Sequence, residues 1–348
     1  MLSRSSCLLH RDLSAEAGVK WSSGAVGRHR HRARPDALIF RTLTVPRALS
    51  TFRSLVAAPS TIEAVVGGVH SPVLQAGPSD VSEAVVFVHG NPGPKDDWSD
   101  ILALVGEFVR AVAPDMPGYG AADKPRDFDY TIRGYGDYLG GVIDQLGVRR
   151  AHLVLHDFGG AWGLAWAVKH PEAFASATLI GTGALIDYHW HRYARIWRTP
   201  VLGELFQVTA TRQGVRLLVG RENPKLPRVA IDRIYTNTRS WATKRAILKL
   251  YRATPESLFA APAPALRALD RPALVLWPTK DPYVPVEQAE RQRQAFPSAR
   301  IELLEGHGHW VFVEDPERVA SLVVPFLREQ VSAAASSNES AAPPDTAS

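Results

Sequence analysis

The chain has 348 residues, enough for one large domain with an insertion or for two domains. Its 45% hydrophobic and 22% charged residues are ordinary for a globular protein, and no apolar run reaches the length of about 18 residues that predicts a membrane span. Cys7 is the only cysteine in the sequence, which excludes a disulfide framework and a cysteine-based metal site.

The net charge of +5 arises at the N-terminus. Residues 1–55 hold ten Arg and Lys against three Asp and Glu, which leaves 30 basic and 32 acidic residues in the rest of the chain. The basic balance is therefore weak evidence for a nucleic-acid partner, and we expect none. Residues 1–58 lack an apolar period and predict a disordered, dispensable leader, with a transit peptide or an early start site as alternatives. We expect a cytoplasmic protein without stable membrane insertion.

Strand patterns begin at Thr61 and alternate with helical patterns. Short apolar runs predict strands at Ile62–Val66, Val69–Gln75, Ala84–Val88, Val109–Ala113, Ala151–Leu155, Ala175–Ile180, Pro272–Trp277 and Ile301–Leu304. Helical periods lie near residues 96–108, 131–146, 161–169 and 286–296, and from Pro316 onward. This alternation predicts an α/β fold, with a mostly parallel eight-stranded sheet and helices on both faces.

The alternation stops after the sixth strand. Residues 184–265 show helical patterns without a convincing strand, so they predict a helical cap between two core segments, 59–183 and 266–331. Between residues 188 and 256 there are fourteen Arg and Lys against four Glu and Asp, which would favour anionic substrates if the charge were not simply solvated. Residues 332–348 are rich in Ala, Ser and Pro and predict a disordered tail.

The strongest chemical signal is the stretch from Leu153 to Gly160. An apolar strand runs into Asp157, and glycines then open a helical pattern, which is typical of a nucleophile elbow. Such a turn lifts its central side chain above the sheet, where the next backbone N–H faces a developing anion. A carboxylate there is ionised at neutral pH without a base and can attack an alkyl carbon. The simpler interpretation is an aspartate that caps the helix.

Two further polar residues follow the ends of later strands. Asp281 comes after the seventh predicted strand and His309 after the eighth, and parallel strands end at one edge of a sheet. Alone, the first reads as a turn residue and the second as a packed loop histidine. Together with Asp157 they have the order nucleophile, acid, histidine. His307 competes with His309, which we prefer because it leads directly into the start of the last helix.

These residues resemble the α/β-hydrolase superfamily, and within it the epoxide hydrolases and haloalkane dehalogenases, which use an aspartate nucleophile. The resemblance covers about residues 60 to 330 and rests on His89–Pro92, Asp115–Gly120, His156–Gly160 and Gly308–Trp310. It implies the α/β-hydrolase fold and an oxyanion hole formed by the backbone N–H groups of Asn91 and Phe158. Leu155 departs from the pattern, because a small residue is usual two positions before the nucleophile.

The resemblance also implies a mechanism. Asp157 would form an alkyl-enzyme ester, and His309, oriented by Asp281, would activate the water that hydrolyses it. No metal or cofactor is implied, and we expect a small hydrophobic organic substrate and a monomer or homodimer. An ordinary esterase is disfavoured, because an acylated aspartate would be an anhydride. A fold member that binds a small ligand without turnover is an alternative from another class, although all three residues are present.

Epoxide opening requires acidic hydroxyls that protonate the ring oxygen, and these are usually cap tyrosines. Tyr251 is one candidate, and either Tyr188 or Tyr193 would supply the second. For each of them, packing within the cap is the simpler interpretation. We favour an epoxide hydrolase-like activity on this basis.

Dehalogenation is the alternative and requires donors that face a halide. Asn91 suits this role and resembles the second halide ligand of some dehalogenases. Those enzymes usually carry Trp directly after the nucleophile, whereas Phe158 has no N–H to donate. Trp162 or a cap tryptophan such as Trp190 would have to substitute for it.

Overall fold

The computed structural model describes residues 58–340, with side chains described as far as residue 333. All but the last residue of the predicted leader therefore lies outside the described part of the chain. The described strands are β1 Ser60–Val66, β2 Val69–Ala76, β3 Glu83–Val88, β4 Arg110–Pro114, β5 Arg150–His156, β6 Phe174–Ile180, β7 Ala273–Pro278 and β8 Arg300–Leu304. They form one eight-stranded sheet in the order β1-β2-β4-β3-β5-β6-β7-β8.

The sheet is mostly parallel, as predicted. β2 pairs antiparallel with both β1 and β4, and the strands from β4 onward across the sheet pair in parallel. The fold is that of the α/β-hydrolases. Its consequence for function is that β5, β7 and β8 deliver the loops after them to one edge of the sheet.

Three core helices lie between β3 and β6, and three follow β7. They are α1 Ser99–Val105, after a 3₁₀ turn at Lys95–Trp98, then α2 Ile132–Gln145 and α3 Phe158–Lys169, and later α11 Gln288–Arg291, α12 Val311–Glu314 and α13 Pro316–Ser340. The helix predicted over 96–108 is shorter than expected, because it ends at Gly106. The one predicted over 286–296 is a single turn and a 3₁₀ turn, since Pro297 disfavours helix at the residue before it.

The core is packed on both faces of the sheet. Along β3, Val86 and Val88 face the cluster that contains α2 and α3, whereas Val85 and Phe87 face the cluster that contains α1 and α13. These four side chains are fully buried. Each such burial stabilises the fold by roughly 1.5–3 kcal/mol, which is why the strands read as continuous apolar runs.

Between β6 and β7 the chain is helical. We call residues 184–262 the helical insertion; it contains α4 Arg192–Arg198, α5 Leu202–Thr209, α6 Arg212–Glu222, α7 Arg228–Thr238, α8 Trp241–Ala253 and α9 Ser257–Ala260. The predicted boundary at 265 falls inside the next helix, α10 Ala263–Leu269. Leu266 of α10 is fully buried, and α10 packs against α3 of the core, so α10 belongs with the sheet.

The predicted disordered tail, residues 332–348, requires a correction. The last helix continues to Ser340, whereas we expected disorder from residue 332. The alanine-rich stretch after Val331 has high helix propensity and meets no proline before Pro343, so it extends the helix. Residues 341–348 lie outside the described part of the chain. None of the helices between residues 58 and 340 combines the length and apolar character that a bilayer crossing needs.

Candidate active site

Asp157 lies at a sharp turn between β5 and α3. Its φ is 49° and its ψ is −128°, a strained conformation for a residue with a side chain. The turn requires glycines around it. A Cβ on Gly90 would lie 2.3 Å from the Cβ of Asp157, and one on Gly159 would lie 2.3 Å from the backbone oxygen of Val88. The expected elbow is therefore formed by close backbone approach as much as by the turn itself.

Leu155, which departs from the family pattern, is accommodated by a second small residue. A Cβ on Gly163 of α3 would lie 2.5 Å from Cδ2 of Leu155. The leucine side chain therefore occupies the space that an ordinary helix residue would fill. The absence of a side chain at Gly163 therefore lets the elbow accommodate Leu155.

The carboxylate of Asp157 does not cap α3, since it makes no cap hydrogen bond to that helix. Its Oδ1 instead accepts a hydrogen bond of 2.6 Å from the backbone N–H of Asn91. Its Oδ2 lies 3.6 Å from Nε2 of His309. One oxygen therefore contacts the predicted oxyanion hole, and the other faces His309.

His309 is oriented by Asp281. The imidazole Nδ1 lies 2.7 Å from Oδ2 of Asp281, whose Oδ1 accepts the backbone N–H groups of Tyr283 and Val284 at 2.8 and 3.0 Å. These bonds hold the ring with Nε2 toward Asp157. The competing His307 faces elsewhere, with its Nε2 3.5 Å from a carboxylate oxygen of Asp315. The structure therefore places His309 beside the nucleophile position.

The charges of this cluster support one another. Burial alone would raise the pKa of Asp157, but His309 and the N–H of Phe158 hold that pKa below its ordinary value. Burial alone would likewise lower the pKa of His309, but Asp281 and Asp157 raise it. Asp157 is thus ionised at neutral pH. The raised pKa of His309 depends first on Asp281 and then on Asp157.

An aromatic wall surrounds Phe158, the residue after the elbow. Trp190 is at its centre, with ring centroids 6.1 Å from Phe158, 5.6 Å from Tyr188, 5.2 Å from Tyr251 and 5.1 Å from Phe259. All five side chains are buried. Four of them come from the helical insertion, so the insertion supplies most of the apolar surface beside the elbow.

Two of the predicted leaving-group residues, both in the insertion, carry an available donor. The hydroxyl of Tyr251 accepts a hydrogen bond of 3.2 Å from Nδ2 of Asn91, which leaves the phenolic proton free. The indole Nε1 of Trp190 is buried and has no hydrogen-bond partner among the described residues. Both donors belong to the insertion; Tyr251 contacts Asn91 of the predicted oxyanion hole, and the ring of Trp190 stacks near that of Phe158.

The other predicted residues are engaged elsewhere. The hydroxyl of Tyr188 donates to the backbone oxygen of Tyr283 at 3.3 Å, and that of Tyr193 donates to Glu222 at 3.1 Å. Trp162 stacks on Tyr135 with ring centroids 4.2 Å apart among core aromatic side chains, although its indole Nε1 is also buried without a hydrogen-bond partner among the described residues. Sequence spacing alone did not distinguish these from Tyr251 and Trp190, because the distinction depends on the insertion's tertiary contacts.

His191 was missed by the sequence analysis. Its Nδ1 accepts the backbone N–H of Ala194 at 3.3 Å, so the neutral ring carries its proton on Nε2. The ring lies 5.2 Å from that of Tyr283 and 6.2 Å from that of Tyr251. Burial lowers the pKa of His191 to about 4. Its place directly before a helical run was a weak signal of an N-cap and gave no signal of a site.

Asn223 was also missed. It lies just after α6 in the insertion and is fully buried. Its Oδ1 accepts the backbone N–H of His309 at 3.0 Å, across 86 residues of sequence. A contact between two such distant residues leaves no trace in local periodicity.

Comparison with known proteins places this geometry in a family. The model of the alpha/beta hydrolase family matches residues 85–322, which is more than half of the chain. A cis-3-alkyl-4-alkyloxetan-2-one decarboxylase from Xanthomonas campestris is 29% identical over 75% of this chain and 93% of its own length. A 2-hydroxymuconate semialdehyde hydrolase from a Pseudomonas species is 28% identical over 72% of this chain and 89% of its own.

Solved structures agree on the fold. An epoxide hydrolase from Mycobacterium thermoresistibile superposes with a TM-score of 0.65 at 21% identity, over 78% of this chain and 98% of its own. A loop variant of a haloalkane dehalogenase from Bradyrhizobium elkanii gives 0.65 at 22% identity, over 80% of this chain and 100% of its own. At such identities the likeness shows the fold alone. The branch proposed from the motifs is not fixed, because the semialdehyde hydrolase is similar to a comparable degree.

Proposed function

The chain belongs to the alpha/beta hydrolase family, and we propose that it hydrolyses epoxides through an alkyl-enzyme ester on Asp157. One observation carries the choice of substrate. The hydroxyl of Tyr251 accepts its hydrogen bond from Asn91, so its own proton is free beside the nucleophile. A neutral donor placed there suits an oxygen leaving group, which must be protonated as the carbon–oxygen bond breaks.

The first step forms the ester. Oδ2 of Asp157 attacks an epoxide carbon, the ring carbon–oxygen bond breaks, and Tyr251 gives its proton to the ring oxygen. The hydrogen bond from Asn91 Nδ2 to the tyrosine oxygen stabilises the phenolate that results. Burial and the charge of Asp157 raise the pKa of Tyr251. Esterification removes that neighbouring charge just when the phenolate forms.

His191 supplies a second donor for the same oxygen. Its Nε2–H is fixed by the bond that Nδ1 accepts from the helix, and the ring lies near both Tyr251 and Tyr283. A histidine whose pKa is about 4 stays neutral at pH 7, so it donates a hydrogen bond without a competing charge. It takes the place we assigned to a second tyrosine.

The second step hydrolyses the ester. His309 removes a proton from water, and the hydroxide adds to the carboxyl carbon of Asp157 while the N–H groups of Asn91 and Phe158 hold the oxyanion. Collapse releases the alkoxide, which takes the proton from His309. The regenerated carboxylic acid returns its remaining proton to the Tyr251 phenolate. Water and epoxide thus yield a diol, and every group regains its starting state.

The test is a panel of substrates assayed side by side. Epoxides, haloalkanes, oxetan-2-ones and vinylogous semialdehydes cover this proposal and the chemistry named for the relatives. We expect diol formation from epoxides to lead the panel. Tyr251→Phe should lower this rate by about 10² or more, since it removes the acid and retains the ring. Turnover of epoxides that is unchanged by Tyr251→Phe would contradict the assignment.

Dehalogenation is the second candidate, and one observation favours it. Trp190 Nε1–H is a buried donor without a described partner, which suits a halide leaving group. Trp190→Phe keeps the aromatic wall and removes this donor. If the protein is a dehalogenase, this variant loses halide release while Tyr251→Phe retains it, and the pattern is reversed for an epoxide hydrolase.

A further inference from the structure

A buried asparagine of the helical insertion contacts the backbone of the active-site histidine. Oδ1 of Asn223 accepts the N–H of His309 at 3.0 Å, and its Nδ2 donates to the hydroxyl of Tyr283 at 3.4 Å and to the oxygen of Val219 at 3.2 Å. A buried side-chain amide costs free energy when its N–H groups or its oxygen lack hydrogen-bond partners. These three bonds therefore fix the orientation of the Asn223 amide. The asparagine therefore joins the insertion to two loops of the core.

Tyr283 is the point at which these loops meet. Its backbone N–H donates to Oδ1 of Asp281, and its ring lies edge-on to His309 with centroids 5.0 Å apart. Its hydroxyl donates to Oε2 of Glu222 at 3.2 Å. Glu222 is the last residue of α6 and also pairs with Arg192 at the start of α4. One tyrosine thus contacts the acid, the histidine and two insertion helices.

The histidine loop is shaped to admit the asparagine. A Cβ on Gly308 would lie 2.6 Å from Oδ1 of Asn223 and 2.8 Å from Oε1 of Glu314. The glycine is therefore required for the hydrogen bond between Asn223 and His309. The contact is built from both sides.

We propose that Glu222, Asn223 and Tyr283 form a positioning bracket through which the seated insertion holds His309 and Asp281 in working geometry. Among the described residues, no hydrogen bond joins Asp157 or the oxyanion hole to these three residues, because Asp157 is held by the backbone N–H of Asn91 in the loop after β3. The two halves of the reaction therefore depend on the insertion differently. Ester formation requires Asp157 and the leaving-group donors, whereas ester hydrolysis also requires the bracket. This difference between ester formation and ester hydrolysis rests on the proposed function.

The first experiment needs no substrate. The proton shared by His309 Nδ1 and Asp281 should give a downfield NMR resonance, assigned by its loss in His309→Gln. Asn223→Ala should broaden or remove this resonance. Asn237→Ala is the matched control, because Asn237 is an insertion asparagine whose Nδ2 is buried without a described partner. It should leave the resonance intact.

The second experiment measures the two steps separately. With a turned-over substrate, Asn223→Ala should keep the rate of the burst that forms the ester and slow its hydrolysis by up to about 100-fold, as expected of a small misplacement. Alkyl-enzyme should then accumulate on Asp157 in intact-mass spectra. Asn223→Asp retains the acceptor for the His309 N–H and should restore most of the hydrolysis rate. A purely structural role would slow both steps together.

The outcomes separate the two proposals. If the wild-type protein turns over no member of the panel, the proposed function fails, and the NMR comparison still decides the bracket. If the resonance is unchanged in Asn223→Ala, the bracket is wrong whatever the substrate. Should Asn223→Ala not fold, Gly308→Ala breaks the same hydrogen bond from the core side. The resonance must then be broadened or lost in Gly308→Ala as well.

Discussion

The sheet core and the helical insertion are stabilised in different ways. β6 and β7 are buried along their whole lengths, and the elbow between β5 and α3 is set by glycines packed against backbone. In contrast, nine of the twelve exposed large hydrophobic side chains among the described residues lie between 184 and 262. The insertion thus owes less of its stability to apolar burial. Asp157 is therefore held by close backbone packing in the core, while the proposed leaving-group donors, Tyr251 and Trp190, belong to the insertion.

Arginines supply much of what apolar burial does not. Arg198 donates to the backbone oxygens of Tyr251 and Thr254, and Arg195 donates to that of Trp190 at 2.8 Å. Others pair with acids, as Arg252 does with Glu204. Part of the positive charge of the insertion is therefore engaged within it. A preference for anionic substrates remains a prediction, and insensitivity of substrate affinity to ionic strength would remove it.

The largest expected effect lies in the core and concerns His309→Gln. The first step survives, because it requires Asp157 and a donor, whereas the second loses its base and slows by about 10² to 10⁴. Intact mass after incubation with a true substrate should rise by the alkyl fragment, and peptide mapping should place it on Asp157. His307→Gln is the matched control and should trap nothing.

Oxygen labelling checks the same intermediate. In a single turnover in ¹⁸O water, the label should enter the carboxylate of Asp157, because water attacks the ester carbonyl. If the product carries the heavy oxygen and Asp157 stays unlabelled, Asp157 acts as a base on water and the covalent mechanism is wrong.

A pair of glycine substitutions compares the rigidity of the two regions. Gly159→Ala would place a Cβ 2.3 Å from the backbone oxygen of Val88, so the elbow must distort. We expect it to lower the free energy of unfolding by more than about 3 kcal/mol and to abolish ester formation. Gly220→Ala in α6 meets only Ile231 at 3.4 Å and should be neutral or stabilising by up to about 1 kcal/mol. Chemical denaturation of both variants measures the difference, and equal losses would contradict the contrast.

The sequence predicts the core far better than the insertion, for physical reasons. Strands buried on both faces leave continuous apolar runs, and the elbow leaves Asp157 between a strand and two glycines. The compensation of Leu155 by Gly163 was invisible, because it joins a strand to a helix. In the insertion, many large apolar side chains are exposed, so an apolar residue in the sequence does not indicate a buried position. The contacts of Asn223 and His191 form only when the insertion packs on the core, so the sequence alone does not reveal them.

Asp97 lies at the boundary between the core and the insertion, where its ionisation can be measured. It follows Pro94 in the core, and its Oδ1 lies 3.2 Å from Nη2 of Arg233 on α7. Burial raises the pKa of Asp97 to about 7, against the opposing charge of Arg233. Between about pH 4 and pH 7 Asp97 is protonated in the folded protein and ionised in the unfolded chain. The free energy of unfolding therefore falls as the pH rises through that window.

Asp97→Asn keeps the shape and removes the titration. We expect the stability of the wild type relative to this variant to fall by on the order of 3 kcal/mol from pH 4 to pH 8. Denaturant titrations at both pH values measure this difference. The raised pKa of His309 contributes in both proteins above pH 6.5 and cancels. A flat difference between the wild type and Asp97→Asn would show that burial does not penalise the carboxylate.

The smallest expected effect tests whether the insertion can loosen alone. Arg198→Met removes the guanidinium, which lies over the ring of Trp190 with its Cζ 5.4 Å from the ring centroid, and with it the hydrogen bonds to the carbonyls of Tyr251 and Thr254. Losing bonds from a charged donor should cost about 2 kcal/mol. Because the insertion is less apolar inside, we expect this cost to appear as local opening. Amides near the end of α8 should exchange faster, and KM should rise more than kcat falls, since the wall around Trp190 and Tyr251 is disturbed.

Arg300→Met on β8, where the guanidinium bonds to Glu302, is the control. If the amides of β5 and β6 accelerate as much as those of α8, the two regions open as one cooperative unit and are not independently stabilised.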